Sequence, residues 1–344
     1  MLKWYEEMDG SHPGIVSSRV RLARNWNQYV FPSKLSPNEG AEMIRRLESG
    51  LRDLGSLDGK IYHYVDLGEI SEIDRKAMRE HRLFNSAIAG KRTPTGIILS
   101  EEEDTGILLN GTDHIRLQVL AGGFHLEELW KHADKIDDYI SERFEYAFDE
   151  KYGYLTAYPT NVGTGMRASV VLHLPTLSRG KRFNGLVAEM GRFGVAVKGV
   201  YGEGEENDGA LYEVYNQKTL GLSEQDILNM VRRVALQLES QEIQVRHMAL
   251  DKHRLEWEDE AYRAYGVLKY ARRLSAKDAM TLLSQLMTGM RDGTLNMQEP
   301  CPVYRLMLGI QPATLQGLVR KPIEKEELDV ARAAYLRSQL PELV

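Results

Sequence analysis

Cysteine is almost absent from this chain of 344 residues, in which Cys301 is the only one. A single cysteine excludes an internal disulfide and a metal site built from several thiolates. It is also typical of proteins in a reducing compartment, so we expect a cytoplasmic protein. No apolar run approaches the roughly 18–20 residues that a membrane-spanning helix needs, so we expect no membrane partner. The opening segment, MLKWYEEMDG, lacks the apolar stretch of a secretory signal peptide.

An excess of positive charge is also lacking, because 44 lysines and arginines are outnumbered by 50 aspartates and glutamates, for a net charge of −6. Nucleic-acid binding needs a basic face that neutralises phosphates, so we expect no nucleic-acid partner. Local basic pockets stay compatible with this balance. The hydrophobic content of 42% and the charged content of 27% are typical of a globular protein, and the length suits two domains.

Segments with the two-residue period of a strand occur up to Tyr215, whereas the chain after Ser223 shows only helical periodicity. This change predicts a mixed sheet domain over residues 1–245 and an all-helical domain over residues 246–344. The helical part carries an apolar stripe that indicates a core or a dimer face rather than a cofactor site, formed by Met280, Leu283, Leu286, Met287 and Met290.

The stretch from Gly153 to Pro175 predicts a strand, a tight glycine loop and a second strand. Arg167 follows the glycines of this loop at once. A phosphate site needs such a turn, because backbone N–H groups approach closely there and a guanidinium adds a planar pair of donors. A glycine-rich turn with an exposed arginine is the structural alternative, and the stretch taken alone favours that alternative.

The alternating segment Ile15–Asn25 predicts a strand with Arg19 and Arg21 on one face. Two such arginines either pair with carboxylates or bind an anion, and without further context structural pairing is the favoured interpretation. The acidic run Glu101–Asp104 predicts a solvated hairpin turn. The segment Gly202–Gly209 predicts a solvated loop or a mobile flap that carries a carboxylate into a cleft.

The pair Asp113–His114 invites an acid–base or a metal interpretation. No second histidine stands at ligand spacing, so we expect no metal held by the protein's own side chains.

Four segments in this order resemble the phosphagen kinase family of ATP:guanidino phosphotransferases: Ser17–Asn25, Asp113–Arg116, Pro159–Ser169 and Gly199–Glu203. The similarity covers roughly the whole chain and is greatest to the bacterial protein-arginine kinases of the McsB type. Those proteins lack the small N-terminal domain of creatine and arginine kinases and end in a helical domain. The resemblance implies an α+β fold, in which a catalytic domain with a largely antiparallel sheet flanked by helices precedes an all-helical domain.

The resemblance also implies ATP as cofactor, with Mg²⁺ bound through the phosphates. Phosphoryl transfer depends mainly on positioning and on neutralising charge. The implied nucleotide-contacting positions are Ser17, Ser18, Arg19, Val20, Arg21, Arg82, Arg116, Arg167, Ala168, Ser169, Lys198 and Glu203. Two of them depart from the family: Arg82 takes the place of a histidine, and Lys198 takes the place of an arginine. A lysine loses the bidentate geometry of the guanidinium.

The implied phosphoryl acceptor is a guanidinium, which needs a carboxylate to orient it and take a proton. Glu203 matches one of two family carboxylates, but Gly111 and Thr112 replace both glutamates of the Asn-Glu-Glu-Asp-His motif. Tyr158 replaces a reactive cysteine. In the helical domain, a phosphoarginine-binding motif keeps Asp329, Arg332 and Ala333 but has Leu328 in place of its first arginine.

These departures support two hypotheses. In the first, the chain is a pseudokinase of the protein-arginine kinase family that acts through protein contacts in stress response and proteolysis. In the second, it is an active protein-arginine kinase that uses Glu203 and Asp113. A general base is worth about 10²–10⁴ in rate, so its loss favours the first hypothesis. The resemblance also implies protein clients or a quality-control partner, and a homodimer or higher homo-oligomer. A free-arginine kinase is less favoured, because the small domain that closes over such substrates is absent.

Overall fold

A computed structural model describes residues 2–7, 10–201, 207–319 and 324–344 of the chain. Ten strands lie in the described part: β1 Ile15–Arg24, β2 Tyr62–Asp66, β3 Gly96–Ser100, β4 Thr105–Leu109, β5 Ile115–Gly122, β6 Phe148–Asp149, β7 Gly153–Tyr154, β8 Met166–His173, β9 Val195–Gly199 and β10 Leu211–Asn216. Eight of them form one sheet in the order β2-β3-β4-β5-β1-β8-β10-β9, with antiparallel neighbours throughout. The predicted antiparallel sheet is therefore confirmed.

The described helices are α1 Pro37–Gly50, α2 Gly55–Asp58, α3 Glu72–Glu80, α4 Ser86–Ala89, α5 Leu126–Ser141, α6 Phe183–Gly191, α7 Glu224–Tyr270, α8 Ala276–Arg291, α9 Val303–Gly309, α10 Pro312–Val319 and α11 Lys325–Gln339. Side-chain caps fix the starts of the main helices. Ser36 accepts a hydrogen bond from the Glu39 amide, and the Glu39 carboxylate accepts one from the Ser36 amide, which satisfies N–H groups that have no partner within the helix. Ser223 and Asp226 make the same exchange at α7.

The two faces of the sheet differ because side chains alternate along each strand. One face is apolar and packs against α1, α5 and α7 in the larger core cluster, to which Val20, Leu117 and Val170 belong. The other face is charged in its middle. Its apolar residues Val171 and Leu211 belong instead to a second cluster that is shared with the C-terminal helices.

The C-terminal region is helical, and within the described residues no named strand follows β10. The boundary predicted near residue 245 falls inside α7, which continues to Tyr270 with a kink at His253. The division into residues 1–245 and 246–344 stays a prediction. The second cluster joins the sheet to this region, since Trp4 and Leu211 share it with helical residues such as Leu283 and Met307.

Two local expectations are wrong. The sequence pattern from Leu126 predicts a helix that runs to about Phe148, but α5 ends at Ser141. The chain then folds back on the helix, and the Tyr146 hydroxyl donates to Asp137 Oδ1 over 2.9 Å.

The acidic run Glu101–Asp104 is not a solvated turn, since Glu102 is only 9% exposed. Glu103 contacts Lys3 Nζ at 3.0 Å and His81 Nδ1 at 2.9 Å. Residues distant in sequence therefore neutralise this charge.

Candidate functional site

Strand alternation places four arginines on the charged face of the sheet. Arg19 and Arg21 lie on β1, and Arg21 is the register partner of Arg167 on β8. On the other side of β1, Arg116 of β5 pairs with Ala23, two residues beyond Arg21. Because every second residue points to the same face, all four guanidinium groups project from one side of three adjacent strands. We call this set, with Arg82 and Lys198, the arginine cluster.

Glu213 of β10 lies within the arginine cluster. Its Oε1 accepts hydrogen bonds from Arg19 Nη2 at 2.7 Å and from Arg82 Nη2 at 2.6 Å. Its Oε2 lies 3.3 Å from Lys198 Nζ. Burial opposes ionisation, but Arg19, Arg82 and Lys198 together hold the pKa of Glu213 well below its usual range.

Arg82 reaches this carboxylate from a strained position after α3. Its φ of 67° lies in the left-handed region that side chains rarely adopt. The Gln118 side chain donates to the Arg82 carbonyl over 3.2 Å. Burial acts to lower the pKa of Arg82, but the Glu213 charge and the Tyr304 and Tyr201 phenols outweigh it and raise the value. Strain of this kind is typical of sites that hold a side chain in place.

The remaining arginines of the cluster have no carboxylate within ion-pair distance among the described residues: Arg21, Arg116 and Arg167. The buried Nε atom of each lacks a hydrogen-bond partner there. Burial and three neighbouring arginines lower the pKa of Arg21 well below its ordinary value. Burial and Arg19 lower the pKa of Arg116 to about 10. Guanidinium groups with partly buried nitrogens and no carboxylate partner offer a favourable site for an anion.

The aromatic ring of Tyr215 contacts two cations of the cluster. The Arg167 guanidinium carbon lies 4.8 Å from the Tyr215 ring centroid, and Lys198 Nζ lies 5.1 Å from the same centroid. Stacking of this kind orients a guanidinium without neutralising its charge.

Not every predicted nucleotide-contacting residue faces the cluster. Three of them alternate with the arginines along their strands and therefore point into the apolar core, where each is at most 1% exposed: Ser18, Val20 and Ala168. The Ser18 hydroxyl donates to the Gly123 carbonyl over 2.8 Å. Side-chain contact of these three with a ligand in the cleft is therefore excluded. Ser17 and Ser169 lie on the arginine face, because each is two residues from an arginine of that face on the same strand.

Asp113 and His114 hold the turn between β4 and β5. Asp113 is buried, and its Oδ1 accepts from Asn25 Nδ2 at 2.8 Å and from the Ala157 amide at 2.7 Å. His114 Nε2 donates to the Val30 carbonyl over 2.9 Å, while Nδ1 accepts from the Trp26 amide at 3.1 Å. Burial lowers the pKa of His114, which favours the neutral ring that this arrangement needs. Both side chains are engaged in structural bonds.

Gly111 and Thr112, which replace the two family glutamates, differ in the space available for a larger side chain. A Cβ on Gly111 would lie 2.7 Å from Leu108 Cδ2, whereas Thr112 is partly exposed. Lys91 Nζ donates to the Gly111 carbonyl over 2.9 Å and also to that of Asn110. A cation therefore contacts the backbone of this loop, although burial lowers the pKa of Lys91.

Two other predicted residues have different placements. Tyr158 is 57% exposed, and its carbonyl accepts from the Thr156 hydroxyl over 2.9 Å. Glu203 lies outside the described residues.

The residues of the phosphoarginine-binding motif in the helical region are hydrogen-bonded to each other and to nearby backbone carbonyls. Arg332 Nη1 donates to Asp329 Oδ1 at 2.6 Å and to the Leu274 carbonyl at 2.8 Å, and Nε donates to the Ile310 carbonyl at 3.1 Å. Arg332 and Ala333 are buried. Most of the donors that a phosphoryl group would need are thus already engaged with the protein.

Metal and membrane features are absent from the described part of the chain. No three histidine, cysteine, aspartate or glutamate side chains in it are grouped so as to hold a metal ion. Searching the same residues reveals no helix with the length and apolar character to cross a membrane.

Sequence reasoning missed Glu213 and Tyr215. Alternation along β10 puts both on the same face, but a lone glutamate in a strand carries no signal by itself. Its register partners Val171 on β8 and Lys198 on β9 are what place it beside the arginines.

Comparison with known proteins agrees with this geometry. Residues 42–245 match the family model of the ATP:guanido phosphotransferase C-terminal catalytic domain. Lombricine kinase has the same fold, with a TM-score of 0.59 and 23% identity over 73% of this chain and 70% of its own. The duplicated taurocyamine kinase of Schistosoma mansoni with bound transition-state analog components also superposes, with a TM-score of 0.59 and 25% identity over 70% of this chain and 35% of that longer one. The chain thus belongs to the ATP:guanido phosphotransferase family.

The second part of the chain narrows the class. Residues 254–343 match the family model of the protein-arginine kinase McsB C-terminal domain. The protein-arginine kinase of Clostridium kluyveri is 36% identical over 341 residues, which cover 99% of both chains. That of Halothermothrix orenii is 36% identical over 327 residues, covering 95% of this chain and 93% of its own. The chain therefore belongs to the protein-arginine kinase family.

Proposed function

We propose that this chain binds Mg-ATP in the arginine cluster but transfers phosphate to protein arginine weakly or not at all. The observation that carries nucleotide binding is the set of unpaired arginines Arg21, Arg116 and Arg167. Each has a buried Nε without a partner among the described residues. A triphosphate fits this donor set, because guanidinium groups bind phosphate oxygens in pairs.

In this proposal Arg21, Arg116 and Arg167 hold most of the phosphate charge, and Arg19, Arg82 and Lys198 contribute less because each also contacts Glu213. When bound, Mg-ATP would supply the phosphoryl group, and its metal would help to neutralise the phosphate charge. The protein's contribution is a fixed arrangement of positive charge on rigid strands, which neutralises the charge that develops on the transferred group.

The residues that would bind the arginine acceptor support impaired phosphoryl transfer. An arginine acceptor has a pKa above about 12, so it becomes a nucleophile only when carboxylates orient and deprotonate it. Gly111 has no side chain, and Thr112 takes no proton at neutral pH. Asp113 is already bonded to Asn25 and Ala157, which weighs against the alternative of an active kinase using Asp113. Glu203 alone leaves part of the acceptor without an ionic partner.

The wider role follows from family membership. We assign the chain to protein contacts in stress response and proteolysis, with protein clients or a quality-control partner, in the cytoplasm. The helical region carries self-association as a homodimer or larger homo-oligomer. Phosphoarginine binding at Asp329 is weak or absent, because Arg332 is engaged with Leu274 and Ile310.

A direct assay tests the proposal. Purified protein is incubated with Mg-ATP and an unfolded, arginine-rich client, and phosphoarginine is measured. Isothermal titration calorimetry runs in parallel on wild type, Arg167→Ala and Arg254→Ala, the last an exposed arginine paired with Glu258. We expect nucleotide binding that Arg167→Ala weakens and Arg254→Ala does not, with little or no phosphoarginine.

Ordinary kinase rates in that assay would establish the active alternative. No nucleotide binding at millimolar concentration would remove the binding claim. Light scattering at tens of micromolar checks self-association, which a monomer would contradict.

A further inference from the structure

Glu213 divides the arginine cluster into three cations that contact its carboxylate and three that do not. Arg19 and Arg82 donate to its Oε1, and Lys198 lies near its Oε2. The other half, Arg21, Arg116 and Arg167, has no carboxylate partner within the described residues. The side chain of Glu213 is only 6% exposed, so this pairing is shielded from water and from salt.

The Glu213 carboxylate occupies the place of a ligand anion. One of its oxygens accepts two charge-assisted hydrogen bonds from two guanidinium groups, at 2.7 Å and 2.6 Å, as a phosphate oxygen would. A polyphosphate that reaches Arg19 or Arg82 must therefore lie against this negative charge or displace it. Juxtaposed like charges in a poorly solvated site cost several kcal/mol.

We infer that Glu213 is a built-in competitor for the phosphates of the nucleotide, so that the chain binds polyphosphates mainly through Arg21, Arg116 and Arg167. This inference rests on the proposed nucleotide binding and adds the residue that limits its affinity. The ligand class is a linear polyphosphate, either free or at the end of a nucleotide. Glu213 acts here as a specificity-determining residue, because it decides how many cations the ligand reaches.

The neutral isostere Glu213→Gln tests the inference. We would titrate wild type and Glu213→Gln by calorimetry with inorganic tripolyphosphate and, separately, with ATP, in a low-salt buffer without phosphate or sulfate. Glu213→Gln is expected to bind both ligands at least about tenfold more tightly, given the cost of like-charge contacts.

Glu239→Gln is the matched control for a buried carboxylate. Glu239 accepts from the Gly14 amide at 3.0 Å and contacts His12 rather than the arginine cluster. Its substitution should leave both affinities unchanged. A matching gain in Glu239→Gln would show that the effect is not specific to Glu213 and would overturn the inference.

Thermal unfolding gives a second readout. Without anions, Glu213→Gln leaves Arg19 and Arg82 uncompensated and should have a lower Tm than wild type. Tripolyphosphate should raise the Tm of the variant more than that of wild type. Equal responses of the two proteins would overturn the inference.

Glu213→Asp keeps the negative charge but moves it away from Arg19 and Arg82 by the length of one methylene group. This variant tests the inference if Glu213→Gln does not fold. Its affinity for tripolyphosphate should exceed that of wild type and stay below that of a folded Glu213→Gln. Affinity equal to or below wild type in the substituted proteins would overturn this inference alone. Absence of binding by wild type and variants alike would overturn both it and the proposed nucleotide binding.

Discussion

Arg21 and Arg167 are direct register partners across β1 and β8, so two guanidinium groups project side by side from one face of the sheet. Neither has an acidic partner in the described part of the chain. Adjacent cations repel one another, and burial adds the cost of desolvation. This pair therefore lowers the stability of the free protein and provides the donors that an anion needs.

The first prediction separates these two effects. Arg21→Met, in buffer without binding anions, should raise the free energy of unfolding by about 1 kcal/mol, because it removes a poorly compensated cation. The same variant should bind Mg-ATP more weakly. Urea denaturation and calorimetry measure the two changes.

Arg24→Met is the matched control, because Arg24 on the same strand is buried and paired with Asp137, with Nη2 2.7 Å from Oδ2. That variant should lose about 3–5 kcal/mol, since it leaves a buried carboxylate unpaired. A loss of stability in Arg21→Met comparable to that in Arg24→Met would contradict the prediction.

The second prediction concerns the missing base. Thr112→Glu should raise phosphotransfer to protein arginine by about 10²-fold, because a carboxylate is returned to a partly exposed position. Adding Lys198→Arg should increase the rate further by restoring a bidentate phosphate contact. Glu203→Ala in that background should abolish the gain. Phosphoarginine formation with Mg-ATP measures each step.

Gly111→Glu is the control for position. Its Cβ would meet Leu108 Cδ2 at 2.7 Å, so Leu108 must repack inside a small core cluster. We expect a loss of about 1–3 kcal/mol and no gain in rate. If Thr112→Glu with Lys198→Arg binds ATP but stays inactive, the defect lies elsewhere, and Tyr158 is the next residue to change.

The third prediction concerns the contact between α3 and α10. Glu80 Oε1 accepts from the Ala313 amide at 2.9 Å, and Oε2 accepts from the Thr314 amide at 2.7 Å and its hydroxyl at 2.8 Å. The carboxylate thus caps the N-terminus of α10, whose first N–H groups have no partner within the helix.

Glu80→Ala should cost about 1–3 kcal/mol, because buried N–H groups lose their acceptor. Thr314→Val removes only the hydroxyl bond and should cost less. Denaturant unfolding measures both, and hydrogen exchange should show faster opening of α10 amides in Glu80→Ala. Unchanged exchange there would count against the capping role.

The fourth prediction is a pH dependence from His173. This residue is fully buried, and its Nε2 lies 2.7 Å from the Ser284 hydroxyl. Burial, followed by the charges of Arg291, Arg246 and Arg179, lowers the pKa of His173 well below its ordinary value.

Because the folded pKa is lower than the unfolded one, the unfolded chain binds the proton more readily. The contribution of His173 to the free energy of unfolding is therefore fully present above about pH 6.5. This contribution is lost as the pH falls from there towards the folded pKa of His173. His173→Gln should reduce that slope in urea denaturation between pH 7 and pH 5. An identical slope in wild type and variant would contradict the assignment.

Local patterns were enough to predict the strands and their faces. The alternation in Ile15–Asn25 places Arg19 and Arg21 together, and the serine caps mark the starts of α1 and α7. Such features depend on neighbouring residues, so they can be read from a short stretch of sequence.

What sequence reasoning missed depends on long-range pairing. Glu213 meets Arg19 and Arg82 only through the order of strands β1, β8 and β10. The acidic hairpin is partly covered because Trp4 and Lys3 contact it from the start of the chain.

The second apolar cluster is shared between the sheet and the C-terminal helices. Leu120, Val171 and Leu211 of the sheet share that cluster with Leu283 and Met307. A chain that ends at residue 245 would keep all the named strands but would expose the apolar side chains of this cluster on the face that carries the arginines. The truncation would also fall inside α7. We therefore expect a chain that ends at residue 245 to be less stable than the full chain, because it would lose the helical side of this cluster.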